Sequence, residues 1–353
     1  MTKLKELVKY IQPSNYLVKS TNYSDEYDTP VLTPNKSFLL GYTNEENTFN
    51  RDCIIIDDFT LDVKYVDFPF MLKSSASKIL VSDQMDLYYL FYLLKTYPFV
   101  LNGHGRHYIS YVQEIEFDFP SLEEQQKIGS FFKELDELIE IEEKSTEKLI
   151  ALQKYFINTY FKSIDREVKL SNVIESKSGH SLEKYKSENG KYKFISIGNY
   201  SQDGLYIDDG SRIDITNSTE PYLVNKNDLV MVLNDKTKDG KIIGSTILCE
   251  EKMVFNQRSQ KIVPSEQILP YFLWLQLNSY DFREKVKRMA QGGTQIYINF
   301  SSIEKLTIKV PELEEQKYIT NFFKEFSTLI SLRKEKTVKL ENMKKYYLNK
   351  IFN

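Results

Sequence analysis

Residues 120–161 read PSLEEQQKIGSFFKELDELIEIEEKSTEKLIALQKYFINTYF, and residues 311–352 repeat this stretch as PELEEQKYITNFFKEFSTLISLRKEKTVKLENMKKYYLNKIF. The two copies lie 191 residues apart without a gap, and 19 of the 42 aligned positions are identical. Internal repeats constrain architecture, and this period is far longer than that of a solenoid repeat. The chain is therefore predicted to contain two large, similar units, each ending in the repeated stretch.

Apolar residues in both copies recur with a period of seven. In the first copy, one such position is occupied by Ile128, Leu135, Glu142, Leu149 and Phe156. A 3–4 alternation of apolar residues over four or more heptads predicts a coiled-coil helix. The prolines at 120 and 311 suit a helix start, and the glutamates that follow them suit its positive end. We predict two helices of about 40 residues, each about 60 Å long at a rise of 1.5 Å per residue.

The apolar seam of each predicted helix is interrupted at its centre by polar residues. If the two copies pair antiparallel about a pseudo-twofold axis, the residue numbers of facing pairs sum to 478. Glu142 then faces Lys336, and Ser145 faces Arg333. A polar layer inside an apolar seam is a known way to fix register. These four residues are the predicted register determinants of the coiled coil.

The remaining sequence falls into two segments with the same predicted order of elements. Each has a buried strand, a further β region, an aromatic-rich helix, a glycine-containing loop and a closing strand. In the first segment the buried strand is 52–58 and the helix is 82–96, with Ser82 or Asp83 as N-cap. The predicted fold class is α+β, with two similar mixed domains and two long antiparallel helices. The predicted divisions are 1–119, 120–163, 164–310 and 311–353.

Composition bounds the class of protein. The 353 residues suffice for two domains, and no run of 18 apolar residues occurs, so no membrane span is predicted. Cys53 and Cys249 lie in apolar, strand-like runs, which favours buried, reduced thiols and a cytoplasmic location. The net charge is −3, so nucleic-acid binding would have to rely on local basic patches.

Several stretches resemble the specificity (S) subunits of type I restriction–modification systems, and together they cover essentially the whole chain. They are the two helix entries PSLEEQQKIGSFFKELDELI and PELEEQKYITNFFKEFSTLI, the segments FNQRSQKIVP (255–264) and GTQIYINFSSIEKLTIKVP (293–311), and YDTPVLTPNKSFLLGYTNEEN (27–47) with IIIDDFT (54–60). Each stretch alone is moderate evidence, but their order and duplication are specific to this family.

The resemblance implies a division of labour between this chain and its partners. Residues 1–119 and 164–310 would be target recognition domains, each reading one half of a split, asymmetric sequence in double-stranded DNA. The coiled coil would space these domains and dock two modification (methyltransferase) subunits, and through them the restriction subunits. Methyl transfer and cleavage would belong to those partners, which would carry S-adenosylmethionine, ATP and Mg²⁺. No cofactor or metal is expected on this chain.

Motif analysis agrees with a non-catalytic role. The sequence has no Asn/Asp-Pro-Pro-Tyr/Phe methyltransferase motif, no glycine-rich cofactor loop and no phosphate-binding loop of the Gly-x-x-x-x-Gly-Lys-Ser/Thr type. His104, His107 and His180, with two distant cysteines, make a poor zinc set.

Base edges are read by side chains that offer hydrogen-bond donors and acceptors, and phosphates are bound by cations and close backbone amides. In the second domain, these residue types are concentrated in three polar loops at 234–241, 255–261 and 287–297. The candidate DNA-binding residues there are Lys236, Lys238, Lys241, Asn256, Gln257, Arg258, Gln260, Lys287, Arg288, Gln295 and Tyr297.

The first domain is more acidic, with a net charge of −5 against +2 for residues 164–310. We therefore hypothesise that it depends more on base-edge and shape contacts than on bulk attraction to phosphates. Its candidate residues are Lys19, Thr33, Lys36, Tyr42, Lys73, Ser75, Arg106, His107 and Tyr108.

Two other interpretations remain open at this point. The chain would also suit a specificity protein of the same build that serves another modification system. A protein of a different class, a coiled-coil scaffold without a DNA role, would carry the same helices, and each candidate loop would then be an ordinary solvated loop.

Overall fold

The computed structural model describes residues 1–353 except 20, 22, 34–36, 102, 104, 237, 238 and 353. The chain divides into two compact units, Met1–Lys144 with Lys334–Asn353, and Ser145–Arg333. Each unit therefore contains one globular domain together with parts of both repeated stretches. Among the described residues, no helix is long and apolar enough to cross a membrane.

Among the described residues, the globular part of the first unit consists of short strands, two α-helices and two 3-10 helices, Pro13–Tyr16 and Val112–Glu114. Their bounds are β1 Thr2–Lys3, α1 Leu4–Leu7, β2 Lys9–Ile11, β3 Thr29–Leu32, β4 Leu39–Thr43, β5 Cys53–Asp57, β6 Val63–Val66, β7 Met71–Leu72, β8 Ser77–Val81, α2 Leu87–Thr96 and β9 Glu116–Phe117.

A four-stranded antiparallel sheet, in the order β2-β8-β5-β6, forms the centre of this domain. The predicted buried strand corresponds to β5, all five residues of which are buried. A second sheet has the order β4-β3-β7, with β3 and β7 parallel. The predicted N-cap of the aromatic helix, Ser82 or Asp83, is wrong. The helix begins later, and Asp86 caps it by accepting a hydrogen bond from the Tyr89 N–H at 2.8 Å.

The first repeated stretch forms a single helix, α3, Leu122–Ser163. The second domain follows with β10 Glu167–Lys169, β11 Ile174–Ser178, β12 Tyr192–Ile195, β13 Arg212–Ile213, β14 Leu223–Val224, β15 Leu229–Val232, β16 Asn234–Asp235, β17 Thr246–Leu248, β18 Met253–Phe255, β19 Ser259–Pro264, α4 Pro270–Leu277, α5 Tyr280–Met289, β20 Ile296–Tyr297, α6 Phe300–Ile303 and β21 Thr307–Lys309. The second repeated stretch forms α7, Leu313–Phe352.

The sheets of the second domain repeat the plan of the first. Its central sheet, β11-β19-β15-β17, corresponds to β2-β8-β5-β6, and its second sheet, β13-β12-β18-β14, again contains a parallel pair, β12 with β18. Within the described residues, the small β16–β20 ladder has no counterpart in the first domain. The sequence duplication is therefore also a duplication of topology.

The two long helices pack antiparallel within each unit. In the first unit, the rings of Phe131 and Tyr347 meet edge to face at 5.1 Å between centroids. In the second, Phe156 contacts Phe326, and the Gln153 amide donates to Ser327 Oγ at 2.9 Å. The predicted α+β fold with two similar mixed domains and two long helices is confirmed.

A buried glutamine fastens the start of each long helix to the domain before it. Gln125 Nε2 donates to the Pro120 carbonyl at 2.9 Å, and its Oε1 accepts from the backbone N–H of Asp86 at 3.3 Å. The equivalent Gln316 donates to the carbonyls of Pro311 and Gln267 and accepts from the Leu269 N–H at 2.9 Å. Asp86 and Leu269 are the N-cap residues of α2 and α4. Each glutamine thus accepts a hydrogen bond from an N-cap N–H group, which has no acceptor inside its own helix.

We expect Gln316→Ala to lower the free energy of unfolding by about 2–4 kcal/mol, because it leaves a buried N–H and two carbonyls without these partners. Gln316 is fully buried, with 0% of its surface exposed. The control is Gln126, an exposed residue next to the buried Gln125. Gln126→Ala should change stability by less than about 0.5 kcal/mol. Urea unfolding of the full chain measures both. Equal, small effects of the two substitutions would show that the hydrogen bonds of Gln316 contribute little to stability.

Candidate nucleic-acid interface

The three polar loops of the second domain come together at one end of its central sheet. Leu233, directly after β15, donates its N–H to the Arg258 carbonyl at 2.8 Å. The Leu233 carbonyl accepts from the Ile298 N–H at 2.9 Å, and β16 pairs with β20 through Asn234 and Tyr297. Backbone hydrogen bonds therefore connect the segments 234–241, 255–261 and 287–297, which are far apart in sequence.

A surface cavity at this end of the sheet is lined by cations and hydrogen-bonding side chains. Lys186, Lys236 and Arg258 supply positive charge around it, and Gln257 and Ser196 supply polar groups. Such a mixture offers both donors and acceptors to an anionic, polar ligand such as a nucleic-acid duplex.

One acidic residue, Glu183, also lines this cavity. Partial burial opposes its ionisation, but hydrogen bonds from Asn256, Ser181 and Gln257 outweigh this effect and lower the pKa of its carboxyl. The Asn256 amide donates to it at 2.6 Å and the Gln257 amide at 3.4 Å. The Glu183 carboxylate therefore lies among the cations of the cavity. It accepts hydrogen bonds from Asn256 and Gln257, two of the residues predicted from sequence.

The predicted DNA-binding residues differ in their accessibility. Those with exposed side chains are Lys19, Arg106, Lys236, Lys241, Arg258, Lys287, Arg288, Gln295 and Tyr297. Those that are half-buried are Tyr42, Lys73, Ser75 and Gln257. Those that are buried are Thr33, His107, Tyr108, Asn256 and Gln260. Lys36 and Lys238 lie outside the described residues.

The buried candidates support the fold and do not face solvent. Asn256 accepts from the Leu182 N–H at 3.0 Å and donates to Glu183, so both ends of its amide are occupied. Gln260 accepts from the Ser178 hydroxyl at 2.9 Å. Tyr108 is only 1% exposed and packs against Tyr10. Side chains in these positions brace the loops and leave only their exposed neighbours accessible at the surface.

In the first domain, the buried Asp58 connects the segments that form the equivalent end of the central sheet. Asp58 pairs with Lys78 at 3.1 Å, with both side chains almost fully buried. It also accepts from the Tyr108 N–H at 2.8 Å, and its carbonyl accepts from the His107 N–H. Arg106, which is exposed, reaches Ser75 Oγ at 3.4 Å. Ser75 and Arg106, which are 31 residues apart, therefore meet on the surface above a fixed charge pair.

Sequence analysis missed several residues of these surfaces. Lys186, Ser196 and Glu183 line the second-domain cavity but come from a segment about 40 to 75 residues before the predicted-loop residues Lys236 and Gln257 that line it with them. The signal available was the interleaving of lysine and tyrosine in EKYKSENGKYK (183–193). Asp58 was visible only as an acid at the end of an apolar strand. Its role depends on a pairing with Lys78 that local pattern does not encode.

Metal and thiol chemistry find no support in the part of the chain that is described. No group of three or more His, Cys, Asp or Glu side chains there is arranged to hold a metal ion. Burial raises the pKa of the Cys53 thiol to about 12 and also raises that of Cys249. Burial thus favours the protonated form of both thiols.

One of the two polar pairs predicted for the helices, Glu142 with Lys336, is in contact. In the first unit, Lys336 Nζ lies 2.7 Å from Glu142 Oε1, and Glu142 is 6% exposed. The residue numbers of this pair and of Phe131–Tyr347 both sum to 478. Ser145 and Arg333, both half-buried, belong to the second unit.

Two mixed domains that present polar, cationic loops, joined to long paired helices, define a class of nucleic-acid recognition protein. Comparison with known proteins identifies the family. The model of the type I restriction modification DNA specificity domain matches residues 1–151 and 165–342. The chain belongs to this family.

Relatives and solved structures agree with this assignment. The specificity subunit of the type I restriction enzyme EcoR124I/EcoR124II of Escherichia coli is 30% identical, with 92% of this chain and 86% of that protein covered. The MjaVIII specificity subunit of Methanocaldococcus jannaschii is 27% identical, with 89% and 81% covered. The S subunit of a type I restriction–modification system from M. genitalium has the same fold, with a TM-score of 0.68 at 17% identity, covering 100% of this chain and 95% of that one.

We expect the Glu142–Lys336 pair to show strong coupling in a double-mutant cycle. Lys336→Leu removes a cation that lies against the buried Glu142 carboxylate and should cost about 1–3 kcal/mol of stability, whereas Glu142→Leu should cost less because Lys336 is 58% exposed. The double Leu variant should recover most of the loss through apolar packing in the seam.

Lys339→Leu, at an exposed position of the same helix, is the matched control and should be nearly neutral. Chemical denaturation of the four variants provides the measurement. Strictly additive losses in the double variant would argue against the pairing as a register element.

Proposed function

We propose that this chain is the DNA-recognition subunit of a type I restriction–modification complex and binds a bipartite, asymmetric duplex sequence. Domain 1–119 reads one half-site and domain 164–310 the other, and the helices at 120–163 and 311–353 act as the spacer. The observation that carries this proposal is the cavity where Lys236 and the neighbours Gln257 and Arg258, from two of the predicted polar loops, meet Lys186 and Ser196. The duplicated topology with different surface residues supports two different half-sites.

The chemistry of the two surfaces suits duplex DNA. In the second domain, exposed Lys287 and Arg288 extend the positive charge beyond the cavity, and Gln295 and Tyr297 add hydrogen-bonding groups. Cations of this kind supply non-specific affinity to phosphates, while amides and arginine supply base discrimination. In the first domain, Lys19, Lys73 and Arg106 are the cations, and its net negative charge favours dependence on fewer, more specific contacts.

The chain acts without chemistry of its own in this proposal. Methyl transfer and cleavage take place on two modification subunits and on restriction subunits that dock through them, and those partners bind S-adenosylmethionine, ATP and Mg²⁺. Support for docking on the helices comes from their apolar side chains that stay exposed, including Leu138, Ile141, Leu152, Tyr155 and Tyr346. Unpaired apolar surface of this kind is typical of protein interfaces. The complex works in the cytoplasm, where the host DNA is.

Selection from a pool of random DNA duplexes tests this function. The tagged full chain is purified from its host with the subunits that accompany it, and bound duplexes are sequenced. The expected result is one enriched motif with two parts separated by a fixed gap. Enrichment of no motif would instead favour a scaffold without a DNA role.

A pair of charge-reversal variants sharpens the selection. Lys236→Glu, in the cavity, should weaken binding at least tenfold, because it replaces a phosphate-attracting cation with a repelling anion. Lys226→Glu is the control. Lys226 is exposed in the turn before β15, at the opposite end of that strand from the cavity, and its reversal should leave binding within about twofold. Equal effects of the two charge reversals would show that the cavity is not part of the DNA interface.

A further inference from the structure

Arg258 has an unusual backbone conformation for its residue type. Its φ of +65° lies in the left-handed region, which costs free energy for any residue with a side chain beyond glycine. Among the described residues, only Leu61 and Asn227 share this property without being glycine, so Arg258 is the one charged example. Strained residues persist where the surrounding structure holds them and often lie at functional sites.

The structure around Arg258 holds the turn 256–259 firmly. The Arg258 carbonyl accepts from the Leu233 N–H at 2.8 Å, and the Ser259 hydroxyl accepts from the buried Tyr200 hydroxyl at 2.9 Å. On the other side, the Asn256 amide is fixed by Leu182 and Glu183. A Cβ at Gly179 would lie 1.9 Å from the Asn256 carbonyl oxygen, so this position leaves no space for any other residue. These contacts hold the turn 256–259 in one conformation.

The Arg258 side chain, which extends from this fixed turn, is free to bind a ligand. Arg258 is exposed, and no described residue forms a hydrogen bond or ion pair with its guanidinium. Most other arginines are engaged, through Asp83, Ser75, Glu312, Asp208 or backbone carbonyls, and these are Arg51, Arg106, Arg166, Arg212 and Arg283. Arg258 instead faces the cavity shared with Gln257, Lys186 and Lys236.

The composition of the cavity favours a base edge over a phosphate as the target of this guanidinium. The Glu183 carboxylate lines the same cavity, so the lining offers a hydrogen-bond acceptor beside its three cations, whereas a phosphate presents acceptors only. A base edge in the major groove carries no net charge and presents donors as well as acceptors. The rigid, planar fork of arginine matches O6 and N7 of guanine in a bidentate contact, which is the commonest specific contact in the major groove.

We propose that Arg258 is the residue with which the second domain recognises a guanine in its half-site. Its left-handed turn persists, despite the cost to folding, because it presents the guanidinium in one fixed direction. This proposal rests on the proposed function, since it assumes that the cavity meets duplex DNA. The first domain differs here: Ser75 occupies the aligned position, and the exposed guanidinium on that side comes from Arg106.

Substitution by glycine separates the contribution to folding from the contribution to recognition. Arg258→Gly relieves the left-handed strain, so its melting temperature should equal or exceed that of the wild type. Arg258→Ala keeps the strain and should melt about 2–4 °C below Arg258→Gly. Asn227→Gly is the matched control, because Asn227 has a φ of +74° in the turn before β15, at the other end of that strand. It should bind DNA like the wild type.

Recognition is measured with the random-duplex selection on the complex purified from its host. The wild type should enrich a split motif that contains a guanine in one half. Arg258→Gly should enrich the same motif with that single position degenerate, its preference for guanine reduced about 5- to 150-fold, and Arg258→Lys should keep part of the preference.

Each other outcome overturns the proposal in a distinguishable way. Uniformly weaker binding of Arg258→Gly with an unchanged motif identifies a phosphate contact instead. An unchanged motif at unchanged affinity removes Arg258 from the interface. A motif change of the same size in Asn227→Gly would point to an effect transmitted through the fold. If the wild type enriches no motif at all, the proposed function fails together with this inference.

Discussion

The hydrogen bonds of Gln125 and Gln316 connect the start of each long helix to the domain that precedes it. Each side chain spans from a carbonyl at the helix entry to the N-cap amide of the aromatic helix, α2 or α4. Within each unit, this contact fixes the direction in which the helix leaves its domain. Because both glutamines are buried, the bonds are not exchanged for water, and the loss of one partner leaves the others unsatisfied.

On this shared frame, the two domains have diverged at the end of the sheet that carries the candidate interface. In the first domain, the residue after the central strand, Asp58, is a buried anion paired with Lys78. In the second, Leu233 stands after β15, and the lysine aligned with Lys78, Lys261, pairs with Asp228 instead. The same topology thus presents a guanidinium from the 106 loop in one domain and from the 256–259 turn in the other. Under the proposed function, this divergence would let the two domains read unlike half-sites.

Features that depend on periodicity were predictable from sequence. The heptad pattern predicted both long helices, and the strand at 52–58 appears as Cys53–Asp57. The Glu142–Lys336 contact has the residue-number sum expected from the repeat. The helix cap was misplaced because Ser82, Asp83 and Asp86 are all good caps. In the fold, the Ser82 hydroxyl accepts from the Gln84 and Met85 N–H groups in a turn before the helix, and Asp86 caps the helix itself.

Features that depend on long-range contacts were not predictable. Asn256 and Gln257 are adjacent amides in one polar run, yet one is buried and braces the turn while the other borders the cavity. Nothing local distinguishes them, because the difference comes from Leu182 and Glu183, more than 70 residues earlier. The cavity itself is likewise assembled from segments far apart in sequence. Sequence therefore identified the loops, and only the fold separated their supporting side chains from the exposed ones.

The role proposed for this chain is to decide which DNA sequence its complex modifies. The most direct measurement is a map of methylated adenines in the host genome, with the chain present and with its coding sequence deleted. One bipartite motif that is methylated in the parent should lose its methylation completely in the deletion strain and regain it when the chain is restored. Unchanged methylation at every motif after deletion would contradict the account.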